Sequence, residues 1–270
     1  MFDDSPQTDH ALMQDRAFAA ALLMCGEHPI TLPSGLTLLN RRVVGLPVLM
    51  LPRAAPPLDL DAQLACAGLH RRLLLLSPEQ PTPMPRGLRV ASPRTLLHID
   101  LRTDATTRRA ALHQNWRHQL GQAERADMQV LHSALTPDHR VLALEADQSR
   151  ARHYRNWPTA LTAAFSRVAP EQTHAFTALL RGYEVGHMLF LTHGNRATYH
   201  IDHTTDAGRS HHAHNLLLWE AMNTLAARGI TTLDLGPQTL PDIDRFKRRA
   251  GAHEVRTGGT WLRWTPFALR

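Results

Sequence analysis

Apolar residues in this chain come in short runs, of which Leu46 to Leu51 and Leu73 to Leu76 are examples, cut apart by clusters of Gly, Pro and Asn. A membrane-crossing helix needs about 20 consecutive apolar residues, so no segment here predicts one. The runs instead predict short strands alternating with helices whose apolar residues recur at helical spacing. With 270 residues, 43% of them apolar and 20% charged, the chain can build one large core or two smaller ones. The acidic start Met1-Phe2-Asp3-Asp4 lacks the positive charge of a signal peptide, which predicts a cytoplasmic protein. Cys25 and Cys66 sit in apolar surroundings without metal-binding spacing and are expected to be buried, inert thiols.

Read in order, Thr8 or Asp9 caps a first helix reaching about Cys25. Ile30 to Leu32, Leu36 to Leu39 and Val43 to Leu51 read as antiparallel strands, Leu58 to Leu69 as a helix and Arg71 to Leu76 as a buried strand. Five prolines between Ser77 and Pro93 mark a crossing segment without regular structure. Beyond it come a strand over Thr95 to Leu101 and a long helix from Asp104 to about Arg125. Leu112, Trp116, Leu120 and Ala123 share its core face, while Arg108, Arg109, Arg117 and Arg125 fall largely on the wet side. Then follow a strand over Met128 to Leu131, a helix over Asp147 to Val168 interrupted near Pro158, and three hairpin strands: His174 to Arg181, Glu184 to Thr192 and Arg196 to Thr204. A helix from Ser210 to Arg228, a strand over Thr231 to Leu235, a helix over Leu240 to Ala250 and a strand through Trp264 complete the chain. This order predicts an α/β fold with mixed sheets in two lobes, 1–93 and 94–270.

The formal charge is +6, and of the 30 basic residues 29 are arginine; Lys247 is the single lysine. A bias toward arginine acts where only positive charge matters, so a lone lysine marks either a place where a compact ammonium is required or a chance survivor of that bias. The charge is spread out, without a block of like residues, which argues against a DNA-binding tail.

Three stretches carry a resemblance. They are Asn115-Trp116-Arg117-His118-Gln119-Leu120-Gly121-Gln122-Ala123-Glu124-Arg125 with the apolar strand after it, the helix and strand from Leu216 ending in Asp234-Leu235-Gly236, and Arg245-Phe246-Lys247-Arg248-Arg249-Ala250-Gly251. Together they resemble the Fem-type aminoacyltransferases and related acyltransferases of the GNAT superfamily, over about Thr95 to Trp264. The resemblance implies two GNAT-like lobes, the N-terminal one degenerate, and places the lysine of the Phe-Lys pair near the reacting carbonyl. Lys247 would then stabilise the tetrahedral intermediate and Phe246 shape the pocket.

An acyl-CoA-using member presents a glycine-rich pyrophosphate loop, whereas this chain reads Gly208-Arg209-Ser210-His211-His212-Ala213-His214-Asn215. Arg209, Ser210 and Asn215 are the residues expected near a donor phosphate. Tyr199, His200, Asp202 and Arg117 are the candidates for substrate contact, with Thr198, His200 and Asp202 on one strand face and Tyr199 and His203 on the other. Asp234 joins Lys247 and Phe246 as a catalytic candidate, and it reads equally well as a turn carboxylate before Gly236. His200, His203, His211, His212 and His214 cluster with Asp202 and Asp206, but without HExxH or zinc spacing no metal is expected.

The chain is therefore expected to move an acyl or aminoacyl group to the amine of a small molecule or peptide, without a permanently bound cofactor. Its donor would be aminoacyl-tRNA or acyl-CoA. The alternatives are an acyl-CoA-dependent N-acetyltransferase and a catalytically inactive GNAT-like module that binds nucleic acid or protein.

Overall fold

The computed structural model describes residues 9–84, 87–154 and 156–264. Met1 to Asp4, Thr8 and Pro85 lie outside them. The chain forms two compact units, one of 13–96 and 255–270, the other of 1–12 and 97–254.

The smaller unit holds α1 (Arg16–Met24), β1 (Ile30–Thr31), β2 (Thr37–Val43), β3 (Leu46–Pro52), α2 (Leu60–Cys66), β4 (Leu73–Ser77) and β5 (Leu88–Ala91). The first α-helix starts later than the sequence suggests, because Asp15 rather than Thr8 or Asp9 caps it through the Ala17 amide. β5 is an unpredicted strand inside the proline-rich segment, in the proline-free gap before Pro93. Both thiols, expected to be buried, are exposed: Cys25 caps the C-terminal end of α1 and Cys66 lies in the last turn of α2.

The larger unit contains β6 (Thr95–Asp100), α3 (Ala105–Ala111), α4 (Gln114–Arg125), β7 (Met128–Ser133), α5 (Arg140–Arg152), α6 (Thr159–Val168), β8 (Thr173–Leu180), β9 (Tyr183–His193) and β10 (Arg196–Thr204). There follow α7 (Asp206–Ser210), α8 (Ala213–Ala227), β11 (Thr232–Pro237), α9 (Pro241–Arg249) and β12 (His253–Arg256), whereas β13 (Thr260–Arg263) belongs to the smaller unit. Seven strands make one sheet in the order β12-β6-β11-β10-β9-β8-β7, and β8, β9 and β10 form the antiparallel meander that their turns predict. The other sheet runs β1-β2-β3-β4-β13-β5, so the last strand belongs with the first five. Placing everything after 93 in a second lobe is thus corrected: pairing of Trp261, Leu262 and Arg263 with β4 carries the C-terminal segment back.

Two predicted helices are broken. Asp104 caps α3 through Thr107 as its sequence suggests, but Leu112 is extended and His113 opens α4 by accepting the Asn115 amide on Nδ1. Leu112, Trp116, Leu120 and Ala123 are all buried in one core with α8 and the sheet. Arg108 is not on the wet face: it is buried, its guanidinium donating to the carbonyls of Leu101 and Thr103 and to Asn223. The second break separates α7 from α8, where His212 takes a left-handed conformation at φ 57°.

Candidate active site

β10 and β11 run parallel and pair only over Arg196↔Thr232, Ala197↔Leu233 and Thr198↔Asp234, although β10 continues to Thr204 and β11 to Pro237. Strands that stop pairing inside a sheet leave backbone groups needing other partners. Side chains supply them. Asn156 donates to the His200 carbonyl (3.3 Å), Gln148 to the Asp202 carbonyl (3.0 Å), and the Lys247 ammonium to the Leu235 carbonyl (2.6 Å).

At the same place a bulge between Tyr199 and Ile201 inserts His200 as an extra residue in β10. It overturns the expected alternation. Tyr199 aligns with Phe190 and Asp202 with Met188, so these two share a face, while His203 aligns with His187 on the other. Tyr199 packs on Phe190 (ring centroids 5.4 Å); burial, then the nearby Asp202 carboxylate, hold its hydroxyl well above the ordinary tyrosine range.

Lys247 reaches this face from α9, whose helix carries Phe246 against Trp116 (ring centroids 5.9 Å) and His214 (6.5 Å). The lysine is 7% exposed. Burial lowers its pKa from the usual value, and Asp244, Asp202 and Asp234 resist that shift. His214 donates its Nε2 proton to the His203 carbonyl, which leaves that nitrogen 4.0 Å from the Asp202 carboxylate. Lys247, Phe246, Tyr199 and Asp202 are therefore gathered at one opening in the sheet, with one ammonium, one partly exposed carboxylate and one phenol.

Other predicted residues lie elsewhere. His200 points to Thr162 (2.8 Å) and the Trp157 ring, and burial holds its imidazole down at about 4. Asp234 is buried, accepts the Gly236 amide at 2.7 Å and lies 3.5 Å from His98, so it acts as the turn carboxylate that its sequence also allowed. Arg117 donates to the carbonyls of Ala110 and Leu112 and braces the joint between α3 and α4. Arg209 is tied to Asp206 and to the Thr204 carbonyl at the end of β10, and Ser210 to the Asp206 carbonyl. Asn215 is buried, and its Nδ2 has no hydrogen-bond partner among the described residues. Gly208 serves packing: a Cβ there would lie 2.1 Å from the Val185 carbonyl oxygen.

The sequence reading missed Glu145, Gln148, Tyr154 and Asn156. Glu145 is 3% exposed and accepts from Tyr154 and Asn156, each at 2.8 Å. Burial raises its pKa, and also drives that of Tyr154 up to about 12. The signal was a carboxylate placed on the buried stripe of Val141 and Leu142 in α5. Among the described residues no group of three or more His, Cys, Asp or Glu is arranged to hold a metal, and no helix is long and apolar enough to cross a membrane.

The model of the acetyltransferase (GNAT) domain family matches residues 101–248, more than half the chain. Among solved structures the fold is similar to FemX, with a TM-score of 0.75 at 12% identity over 96% of this chain and 94% of that one. It is also similar to a conserved protein of unknown function from Bacteroides thetaiotaomicron (TM-score 0.64, 11% identity, 95% and 92%) and to L-PGS from Bacillus licheniformis (0.56, 10%, 96% and 88%). No curated protein sequence matches the chain. The matched family model spans the opened sheet, the meander and the lysine-bearing helix, and the chain belongs to the GNAT acetyltransferase-domain family.

Proposed function

We propose that this protein is an acyltransferase that moves an aminoacyl or other acyl group from an activated donor to an amine. The observation that carries this reading is the placement of the chain's single lysine, buried, on the Leu235 carbonyl where β10 and β11 stop pairing and within reach of the Asp202 charge. In such a reaction the amine attacks the donor carbonyl and negative charge collects on its oxygen. The Lys247 ammonium, shielded from water, supports that charge once it is shared away from the Leu235 carbonyl. The C–N bond forms, the bond to the leaving group breaks and the departing oxygen or sulfur takes a proton. Asp202, partly exposed and 4.0 Å from His214, is the group available to accept the proton lost by the amine.

Aminoacyl-tRNA is the favoured donor, and the likeness to FemX supports this choice. Gly208 packs on β9 and Arg209 pairs with Asp206, which supports a donor other than acyl-CoA. The acceptor on this reading is a small-molecule or peptide amine, and the setting is cytoplasmic. One observation favours a non-catalytic module instead: Lys247 already has a partner in Leu235.

Thermal shift with aminoacyl-tRNA, acetyl-CoA and free coenzyme A separates these readings, since a ligand at about 100 times its Kd adds about 2.7 kcal/mol of stability. Stabilisation by charged tRNA alone, followed by transfer of the labelled acyl group to an amine, supports the proposal. Stabilisation by coenzyme A species alone replaces the donor, and binding without transfer leaves the module.

A further inference from the structure

We propose that the β2–β3 hairpin of the smaller unit docks on an anionic lipid surface. Its last pair is Val43↔Leu46, joined by a two-residue turn of Val44 and Gly45. Val44 is 97% exposed, Leu46 58% and Val43 45%, and Pro47 is exposed as well. Four neighbouring apolar side chains thus crown a hairpin whose core contribution begins only at Val48.

The backbone sharpens the point. Val44 has φ 49°, a conformation in which a β-branched residue is strained and Asn or Gly is at ease. Neither packing nor turn geometry calls for valine there.

Charge selects the partner. Residues 13–96 and 255–270 hold twelve arginines against five acidic residues, whereas 1–12 and 97–254 hold eighteen basic against nineteen acidic. The whole positive excess therefore belongs to the unit bearing the hairpin. Arg42 is exposed directly beside the tip, with Nη1 3.4 Å from the Gly45 carbonyl oxygen; Arg41 is partly offset by Glu27 at 3.8 Å. Apolar side chains entering the headgroup boundary below guanidinium groups that meet lipid phosphates is the chemistry of a surface-lying membrane contact. Nucleic acid would use the arginines and leave the valines in water, and a second copy docked tip to tip would bring its own Arg42 against this one.

The test is co-sedimentation of the full chain with phosphatidylcholine vesicles containing about one-third phosphatidylglycerol, against pure phosphatidylcholine, at roughly 0.15 M salt. The decisive variant is Val44→Asn with Leu46→Ser. Asn suits the left-handed turn, so the melting temperature is kept or raised while affinity for the anionic vesicles falls about tenfold or more. Arg42→Gln gives a smaller loss and a weaker salt dependence. Wild-type protein that ignores anionic vesicles overturns the proposal, as does a Val44→Asn, Leu46→Ser protein that still binds them. Self-association lost in that variant would make the hairpin a dimer contact instead. Binding of uncharged tRNA weakened by the same variant would reassign it to nucleic acid.

Discussion

Replacing Lys247 by Met separates the two things its ammonium does. As a structural donor it makes one charge-assisted hydrogen bond of 2.6 Å to the Leu235 carbonyl, a bond worth about 1.5 to 3 kcal/mol net. Against that stands the burial of a charge at 7% exposure, whose cost shows in a pKa lowered despite three nearby aspartates. The methionine removes both terms and keeps most of the volume but leaves the Leu235 carbonyl without its donor, so folding stability near pH 7 should fall by about 1 to 3 kcal/mol. Between the lowered pKa and the usual 10.5 the unfolded chain holds a proton that the folded chain has released. Wild-type stability therefore rises with pH across that window, and the variant loses the rise. The reaction has no such compensation: losing a donor to the developing oxyanion costs about 2.7 to 4 kcal/mol, or about 10²- to 10³-fold in kcat. Melting curves and acyl transfer measured on the same preparation check both halves. A folded variant that retains kcat within about tenfold refutes the assigned role of the ammonium, and one that fails to fold shows that the lysine is a strut for the opened sheet.

Asp202→Asn should lower kcat by about 10²-fold or more in the acyl-transfer assay while leaving the melting temperature near that of the wild type; a variant that keeps full kcat places the base elsewhere. Gly208→Ala should destabilise by about 3 kcal/mol in denaturant unfolding, because its Cβ meets the Val185 carbonyl oxygen at 2.1 Å and Thr204 Oγ1 at 2.5 Å, and a neutral result would mean that α7 can shift. Burial holds His174 and His187 at about 4 in the folded chain, down from 6.5. Stability present above about pH 6.5 is therefore lost as pH falls toward 4, at about 1.4 kcal/mol per pH unit for each proton taken up. His174→Gln with His187→Gln should flatten that slope in acid unfolding, and an unchanged slope would remove the pair as its cause.

The meander was legible because its turns, Gly182 and Gly194, punctuate strands whose apolar residues are continuous. The core face of α4 was legible for the complementary reason, a clean helical period through Trp116. The helix breaks were not, since they rest on a His113 side chain capping its own successor and on His212 in a conformation that histidine adopts only sparingly. Of the site, Lys247, Phe246, Tyr199 and Asp202 could be named from the sequence, the first two through the family resemblance. The pairing of Tyr199 with Asp202 could not, because the bulge at His200 reverses strand parity, and bulges carry no reliable local signature. Glu145 stayed hidden because its partners come from the loop after α5, which no periodicity describes.

β13 lies between β4 and β5, and β5 joins its sheet only through that strand. The first five strands are synthesised some 170 residues before residues 260–263. Until then β4 presents an open edge and β5 has no neighbour, while nearly all of the larger unit is already available to fold. The part of the chain made first is thus finished last. In the interval its exposed strand edge is the point most vulnerable to wrong pairing, and the natural place for a chaperone to hold it.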